Sequence, residues 1–291
     1  MSWSERVRIR DKLVVSNESA LTLFAGANVV ESETLILEVA EALKSACTTL
    51  NLPWVFKASW DKANRSSVHS FRGLGLERGL AALTAVREQY DVPILTDIHS
   101  IEHVDQVARV ADIIQIPAFL CRQTDLLRAA CETGRPLLVK KMQMMAPSDM
   151  RNILEKCSRF GCTEIIVCER GTSFGYSNLV VDPLAFPQLK ALRAPVAFDV
   201  THALQRPGGD GTSTGGRGHL TEPLTFAGVS QGLAALFLEC HPDPPSALCD
   251  GPCAFPLHRV RDLLERVVSL DRLVKSWDRA DTCSGADDDA P

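Results

Sequence analysis

Eight short apolar runs rich in β-branched residues recur along this chain, at 21–29, 54–59, 93–99, 112–117, 136–141, 164–169, 195–202 and 235–241. Between them lie amphipathic stretches of helical period, at 34–50, 76–90, 101–110, 124–133, 147–160, 183–192, 220–233 and 257–277. Such alternation dictates parallel pairing with right-handed crossovers, because each helix must carry the chain back along the sheet before the next strand begins. A count of eight favours a closed (β/α)8 TIM barrel over an open sheet.

One barrel of about 250 residues would use nearly all of the 291 present, 45% of them apolar. The expected organisation is an N-terminal extension over 1–20, a barrel over 21–280 and an acidic tail over 281–291. Within the extension, 7–17 reads as a short hairpin turning at Asp11-Lys12 and closing the bottom of the barrel. The tail, with Asp287-Asp288-Asp289, reads as disordered. A net charge of -5 and the lack of a long basic face argue against nucleic acid as a partner. No signal-peptide core is present, and no run approaches the roughly 20 apolar residues that span a bilayer. The ten cysteines are dispersed, with no Cys-x-x-Cys pair, and read as reduced thiols of an intracellular, cytoplasmic protein.

The stretch Lys57-Ala58-Ser59-Trp60-Asp61-Lys62-Ala63-Asn64-Arg65-Ser66-Ser67 gathers two Lys, one Arg and three Ser around a single carboxylate. Compact ammonium charges and a planar guanidinium fork together suit a ligand bearing phosphate and carboxylate groups; charge alone equally allows a solvated surface loop. In a barrel the C-terminal strand ends converge on one site. Those ends carry Asn28, Lys57 with Ser59 and Lys62, Asp97 with His99, Gln115, Lys140, Arg170, His202, and Glu239 with His241. Lys57, Lys62, Lys140 and Arg170 around one axis would repel unless a polyanion lay between them, which points to a phosphorylated small acid. Arg65 and Arg122 stand further out, as candidates for a second phosphate. His99, His202, Asp97, Glu239 and Asp250 supply acid, base and metal-binding groups. His99 reads equally as a hydrogen bonder to another site residue, and Asp250, in Cys249-Asp250-Gly251-Pro252, as an Asx turn.

Five motifs together resemble the 3-deoxy-D-manno-octulosonate 8-phosphate synthase family. They are Phe-Lys-Ala-Ser-Trp-Asp-Lys-Ala-Asn-Arg-Ser-Ser at 56–67, Ile-Gln-Ile-Pro-Ala-Phe-Leu-Cys-Arg-Gln-Thr-Asp at 114–125, Glu-Arg-Gly-Thr-Ser-Phe-Gly-Tyr at 169–176, Phe-Asp-Val-Thr-His-Ala-Leu-Gln at 198–205 and His-Pro-Asp at 241–243. The match runs in order from about residue 21 to 277. The resemblance implies condensation of phosphoenolpyruvate with arabinose 5-phosphate for lipopolysaccharide or related wall sugars, in a homotetramer. It implies phosphoenolpyruvate contacts from Lys57, Ser59, Lys62, Gln115, Lys140 and Arg170, and sugar-phosphate contacts from Asn64, Arg65 and Ser66. Arg122 would reach the sugar phosphate from a neighbouring subunit, and Asp97, His99, Pro117, Ala118 and Glu239 complete the expected substrate surface. In the expected mechanism Lys62 assists protonation at the aldehyde while His202 and Asp250 orient the attacking water.

The family has a metal-dependent branch with Cys, His, Glu and Asp ligands and a metal-independent branch with Asn in the Cys position. Here Asn28 stands in that position, with His202, Glu239 and Asp250 at the other three. A neutral amide is a poorer ligand than a thiolate, so the expectation is no required metal and no cofactor. Cys249 beside Asp250 also resembles the metal-independent branch. Met142 and Met144 depart from the family pattern, which predicts altered packing after the fifth strand. Gly208–Gly216 reads as a flexible lid rather than a phosphate loop, since no Gly-Lys-Ser or Gly-Lys-Thr follows. Two alternatives stand beside this reading. One is the related synthase acting on erythrose 4-phosphate, whose sugar loop reads Lys-Pro-Arg-Thr where this chain has Lys62-Ala63-Asn64-Arg65-Ser66. The other is a catalytically dead assembly subunit, against which the complete set of contacts argues.

Overall fold

The computed structural model describes residues 2–10, 13–210 and 213–284. The chain begins with β1 (Val7–Ile9) and β2 (Leu13–Val15), an antiparallel pair whose Asp11-Lys12 turn lies outside the described residues. Then follow β3 (Thr22–Gly26), α1 (Glu33–Leu50), β4 (Trp54–Lys57), α2 (Leu76–Tyr90), β5 (Ile94–Asp97), α3 (Val104–Val110), β6 (Ile113–Ile116) and α4 (Thr124–Glu132). The second half runs β7 (Leu137–Lys140), α5 (Met150–Arg159), β8 (Ile165–Glu169), β9 (Thr172–Ser173), β10 (Leu179–Val180), α6 (Ala185–Lys190), β11 (Val196–Asp199) and α7 (Val200–Ala203). It ends with β12 (Gln205–Asp210), β13 (Ser213–Gly216), α8 (Thr221–Val229), β14 (Ala235–His241), β15 (Phe255–Pro256) and α9 (Val260–Ser284).

Eight parallel strands pair in the order β11-β8-β7-β6-β5-β4-β3-β14, and β14 pairs back to β11, so the sheet closes. This is the (β/α)8 barrel that the alternation predicts. Every residue of these strands is buried, as expected where helices cover one face and a packed interior the other. The strand period of two separates the faces. Leu23, Trp54, Phe56, Ile94, Ile114, Val139 and Leu236 face the helices, while Phe24, Val55, Leu95, Ile113, Leu138, Ile166, Ala197 and Phe237 fill the barrel. Val7, Ile9 and Val15 of the hairpin join the inner cluster and seal its N-terminal end. Arg10 fixes the hairpin there by donating from Nε and Nη2 to the two Asp112 oxygens, both at 3.1 Å.

Element boundaries depart from sequence expectation where a side chain intervenes. The run at 195–202 is a strand only to Asp199, whose carboxylate accepts the His202 N–H at 2.9 Å and starts α7. The helix expected to reach 233 ends at Val229, before Gly232 takes a positive φ of 64°. Helix α9 continues through Ser284, four residues past the expected barrel boundary at 280; residues 285–291, with the Asp-rich segment, lie outside the described residues. In the glycine-rich stretch β12 pairs antiparallel with β13, while residues 211 and 212 lie outside the described residues. Gly216 serves close packing: a Cβ there would lie 2.3 Å from Cys253 Sγ and 2.7 Å from the Pro252 carbonyl. Met142 packs on the core, Met145 is buried and Met144 is exposed.

Candidate active site

The inner phase of the strands is apolar at the bottom and turns polar two residues later. Val55 is followed by Lys57, Leu95 by Asp97, Ile113 by Gln115, Leu138 by Lys140, Ala197 by Asp199 and Phe237 by Glu239. Successive inward residues form successive layers in a barrel, so these six groups make one polar tier directly above the apolar plug. The loop after β4 is tied down over it. Ser59 Oγ donates to Asp97 Oδ2 at 3.0 Å and Trp60 Nε1 to the Asp97 carbonyl at 2.9 Å. Asp61, the only carboxylate of the basic stretch, accepts both forks of Arg72 at 2.9 and 2.5 Å, and the Lys62 N–H donates to the Arg72 carbonyl at 2.8 Å. The loop's one negative charge is thereby used locally, away from Lys62.

Above the tier lies a cavity of about 160 Å³, bordered by Lys62, Asn64, Arg65, Ser66, Asp97, His99, Gln115, Pro117, Ala118, Lys140, Arg170, His202 and Asp250. These expected residues, scattered over 189 positions, therefore meet at the C-terminal mouth. Lys57, Ser59, Asn28 and Glu239 are buried and are not part of its lining. Lys57 Nζ donates to Glu239 Oε1, to Ser59 Oγ at 3.2 Å and to the Asn28 carbonyl at 3.3 Å. Arg122 stands outside the cavity, exposed beside Asn152, Lys156 and Arg159. His241 is turned away as well, accepting the Asp243 N–H at 3.0 Å and facing Glu31 at 3.7 Å.

The cations are not balanced by a ligand alone, as the charge argument from sequence assumed. Lys57 pairs with Glu239 and Lys140 with Asp199, and Lys140 also sits 3.2 Å from the centroid of the Phe237 ring. Burial works against ionisation of Asp97, Asp199, Glu239 and Asp250, but the neighbouring His and Lys charges prevail and hold all four below the usual carboxylate range. Lys57 and Arg170 are shifted down from their ordinary values by burial. Burial opposes the charge on Lys62 too, yet Glu239 and the other acidic neighbours outweigh it and push its pKa up. Among the described residues, Lys62, Arg65 and Arg170 have no carboxylate within ion-pair distance, although all three line the cavity. Arg170 Nη2 donates to Gln205 Oε1 at 2.6 Å while its buried Nη1 has no partner there. Arg65 touches Cys249, whose thiol burial raises to about 12.

The four positions of the family's metal site are close but differently employed. Asn28 Nδ2 donates to Asp250 Oδ2 at 3.1 Å, so the amide presents hydrogens to the carboxylate. Asp250 Oδ2 also accepts from Gln205 Nε2 at 3.1 Å, and its side chain makes no cap hydrogen bond to the turn that follows, which removes the Asx-turn reading. Glu239 faces Lys57, and His202 lies between Asp199 Oδ2 at 2.8 Å from Nδ1 and Glu239 Oε2 at 3.6 Å from Nε2. Among the described residues no group of three His, Cys, Asp or Glu is arranged to hold a metal ion. Sequence reasoning missed Asp199, Gln205 and Gln143, all of which border the cavity. Asp199 was within reach of the inward period, two residues after Ala197; Gln205 was not, because it arrives on the β12 hairpin.

The family model described as DAHP synthetase I family matches residues 6–276. A 2-dehydro-3-deoxyphosphooctonate aldolase of Marinobacter nauticus is 54% identical, covering 92% of this chain and 95% of its own. Proteins of the same name from Acinetobacter baylyi and Psychromonas ingrahamii are 51% and 50% identical, covering 96% and 92% of this chain and 97% and 95% of theirs.

Proposed function

The chain belongs to the DAHP synthetase I family, and we propose that its mouth seats phosphoenolpyruvate and D-arabinose 5-phosphate together and joins them without a required metal ion. The activity is that of 2-dehydro-3-deoxyphosphooctonate aldolase: an aldol-type condensation that consumes water, releases inorganic phosphate and yields 3-deoxy-D-manno-octulosonate 8-phosphate. The product enters lipopolysaccharide or related cell-wall sugar synthesis.

The observation that carries this reading is the trio Lys62, Arg65 and Arg170, cations bordering one cavity without paired carboxylates among the described residues. Two phosphates and a carboxylate are the charges such a trio would receive. Arg170 and Lys140, with Gln115, hold phosphoenolpyruvate, while Lys57 and Ser59 support it from below. Asn64, Arg65 and Ser66 take the sugar phosphate, with Pro117 and Ala118 as the facing wall.

In the reaction carbon 3 of the enol attacks the aldehyde carbon, and water adds to carbon 2; the carbon–oxygen bond to the phosphate group then breaks. Holding two anions in register supplies on the order of 7 to 11 kcal/mol of the barrier reduction. Lys62 meets the oxygen that gains charge at the aldehyde carbon. It donates a hydrogen bond there and assists protonation of that oxygen, while the attacking water gives up a proton as it adds to carbon 2, so the protons balance. His202 and Asp250 orient the water, with Asp97 and His99 bracing the loop that carries Lys62. Support for metal independence comes from Asn28, whose amide hydrogens are directed to Asp250.

We read the assembly as a homotetramer in which Arg122 serves a neighbour's sugar-phosphate site; its exposed position outside its own cavity supports this. A sedimentation profile showing only monomer would remove that part. No helix among the described residues is long and apolar enough to cross a membrane, and the buried, unpaired thiols described there fit a reducing compartment such as the cytoplasm.

The deciding experiment measures phosphate release from phosphoenolpyruvate in excess chelator, with arabinose 5-phosphate or erythrose 4-phosphate. Release that needs the five-carbon sugar and survives chelation is expected. Activity restored only by a divalent ion would overturn metal independence, and preference for erythrose 4-phosphate would overturn the sugar assignment.

A further inference from the structure

Beside the phosphoenolpyruvate cations lies a further buried ion pair, Lys141 with Glu169, that the mechanism above does not use. On β7 and β8 the inner phase carries Leu138, Ile166 and Cys168, and the outer phase Leu137, Val139, Ile165 and Val167. Continued by one step, the inner phase reaches Lys140 and Arg170, and the outer phase reaches Lys141 and Glu169. Lys141 and Glu169 are 0% and 1% exposed. Lys141 Nζ lies 3.5 Å from Glu169 Oε2 and donates to the Met145 carbonyl at 3.2 Å and to Thr172 Oγ1 at 3.3 Å. The other oxygen, Glu169 Oε1, accepts the N–H groups of Arg170 at 3.0 Å and Gly171 at 2.6 Å. Gly171 has a φ of 89°, so the chain turns sharply where Arg170 leaves the strand.

Stability alone does not account for this pair. Desolvating two charges is expensive, and a well-packed apolar pair of similar volume is often as stable or more so. What an apolar pair cannot do is accept two backbone N–H groups at the Arg170 turn while bonding the loop that follows Lys140. We propose that Lys141 and Glu169 are positioning residues that fix the separation of Lys140 and Arg170 and so set affinity for phosphoenolpyruvate without touching it. This rests on the assignment of those two cations to phosphoenolpyruvate.

The test is steady-state kinetics of wild type, the charge-neutral double variant K141M/E169Q, and Thr172→Val, which removes one Lys141 acceptor at an exposed position. Wild-type turnover together with a selective rise in KM for phosphoenolpyruvate in Arg170→Ala establishes the premise; the absence of either removes premise and proposal together. In an active enzyme, the double variant is expected to raise KM for phosphoenolpyruvate about 10-fold, the size of one charge-assisted hydrogen bond, with KM for the sugar phosphate nearly unchanged. Thr172→Val is expected to give a selective rise of roughly 2-fold, the weak end of the hydrogen-bond range. Equal rises in both KM values, as general loosening would produce, or no rise in either, overturn the proposal. If the double variant does not fold, Thr172→Val decides: a selective rise supports the positioning role and an unchanged KM ends it.

Discussion

The two ends of the barrel are built from the same strands and are opposites in physical character. At the N-terminal end Phe24, Val55, Leu95, Ile113 and Leu138 pack with Val7, Ile9 and Val15 of the hairpin into a dry plug. One inward step further, Lys57, Asp97, Gln115, Lys140, Asp199 and Glu239 form a buried tier of charge and amide. Burying apolar surface stabilises at roughly 25 cal/mol per Å², whereas burying charge costs free energy that close pairing offsets only in part. The lower half therefore supplies stability, and the upper half uses some of it to hold ionised groups ready for anionic substrates. Functional barrels concentrate chemistry at this end because inward side chains there meet loops rather than further strands.

Acid should separate the halves most strongly. Asp97, Asp199, Glu239 and Asp250 have folded-state pKa values below their ordinary ones. Their contribution is thus present above the unfolded-state value of about 4 and lost as pH falls below it toward the folded-state values. Urea titrations between neutral pH and pH 3 should show falling stability in wild type and a flatter profile for Asp97→Asn; identical profiles would contradict this view of the upper tier. Lys62→Ala should lower turnover by about 10²- to 10³-fold, as for loss of a donor to a developing oxyanion, with cooperative unfolding retained. An unchanged rate would remove Lys62 from the mechanism. In the plug, Leu138→Ala should cost about 2 to 5 kcal/mol in denaturant titration with both KM values unchanged. Arg65→Ala should raise KM for the sugar phosphate about 10- to 100-fold, the loss of one charged hydrogen bond, and leave that for phosphoenolpyruvate unaltered. The smallest effect is expected at the rim of the bottom, where Arg10→Ala loosens a partly exposed contact to Asp112 worth about 1 kcal/mol or less.

Much of the barrel was legible because its signals are local. Helix α2 spans Leu76–Tyr90, the expected range, and β14 spans Ala235–His241, also as expected, since period and length suffice for both. Departures fall where a side chain acts on the backbone, as Asp199 does in ending β11. The close packing of Gly216 against Cys253 and Pro252 is a tertiary fact that glycine's local signal does not carry. In the site, the residues at strand ends were readable because a barrel brings every C-terminal end to one place. Gln205 and Gln143 were not, since loop paths are set by packing rather than by period.

By itself the sequence determined the eight barrel strands, their parallel pairing, the helices that connect them and the identity of the cations at the mouth, because these follow from periodicity and from residue chemistry. Only the tertiary structure decided which cations are neutralised. Lys57 and Glu239 are 182 positions apart and Lys140 and Asp199 are 59 apart, so no local pattern announces either pair. Closure of the barrel brings them together where water is excluded, and in that setting distance in space fixes the charge state of each group. Lys62, Arg65 and Arg170 are left bordering the cavity with no carboxylate at ion-pair distance among the described residues.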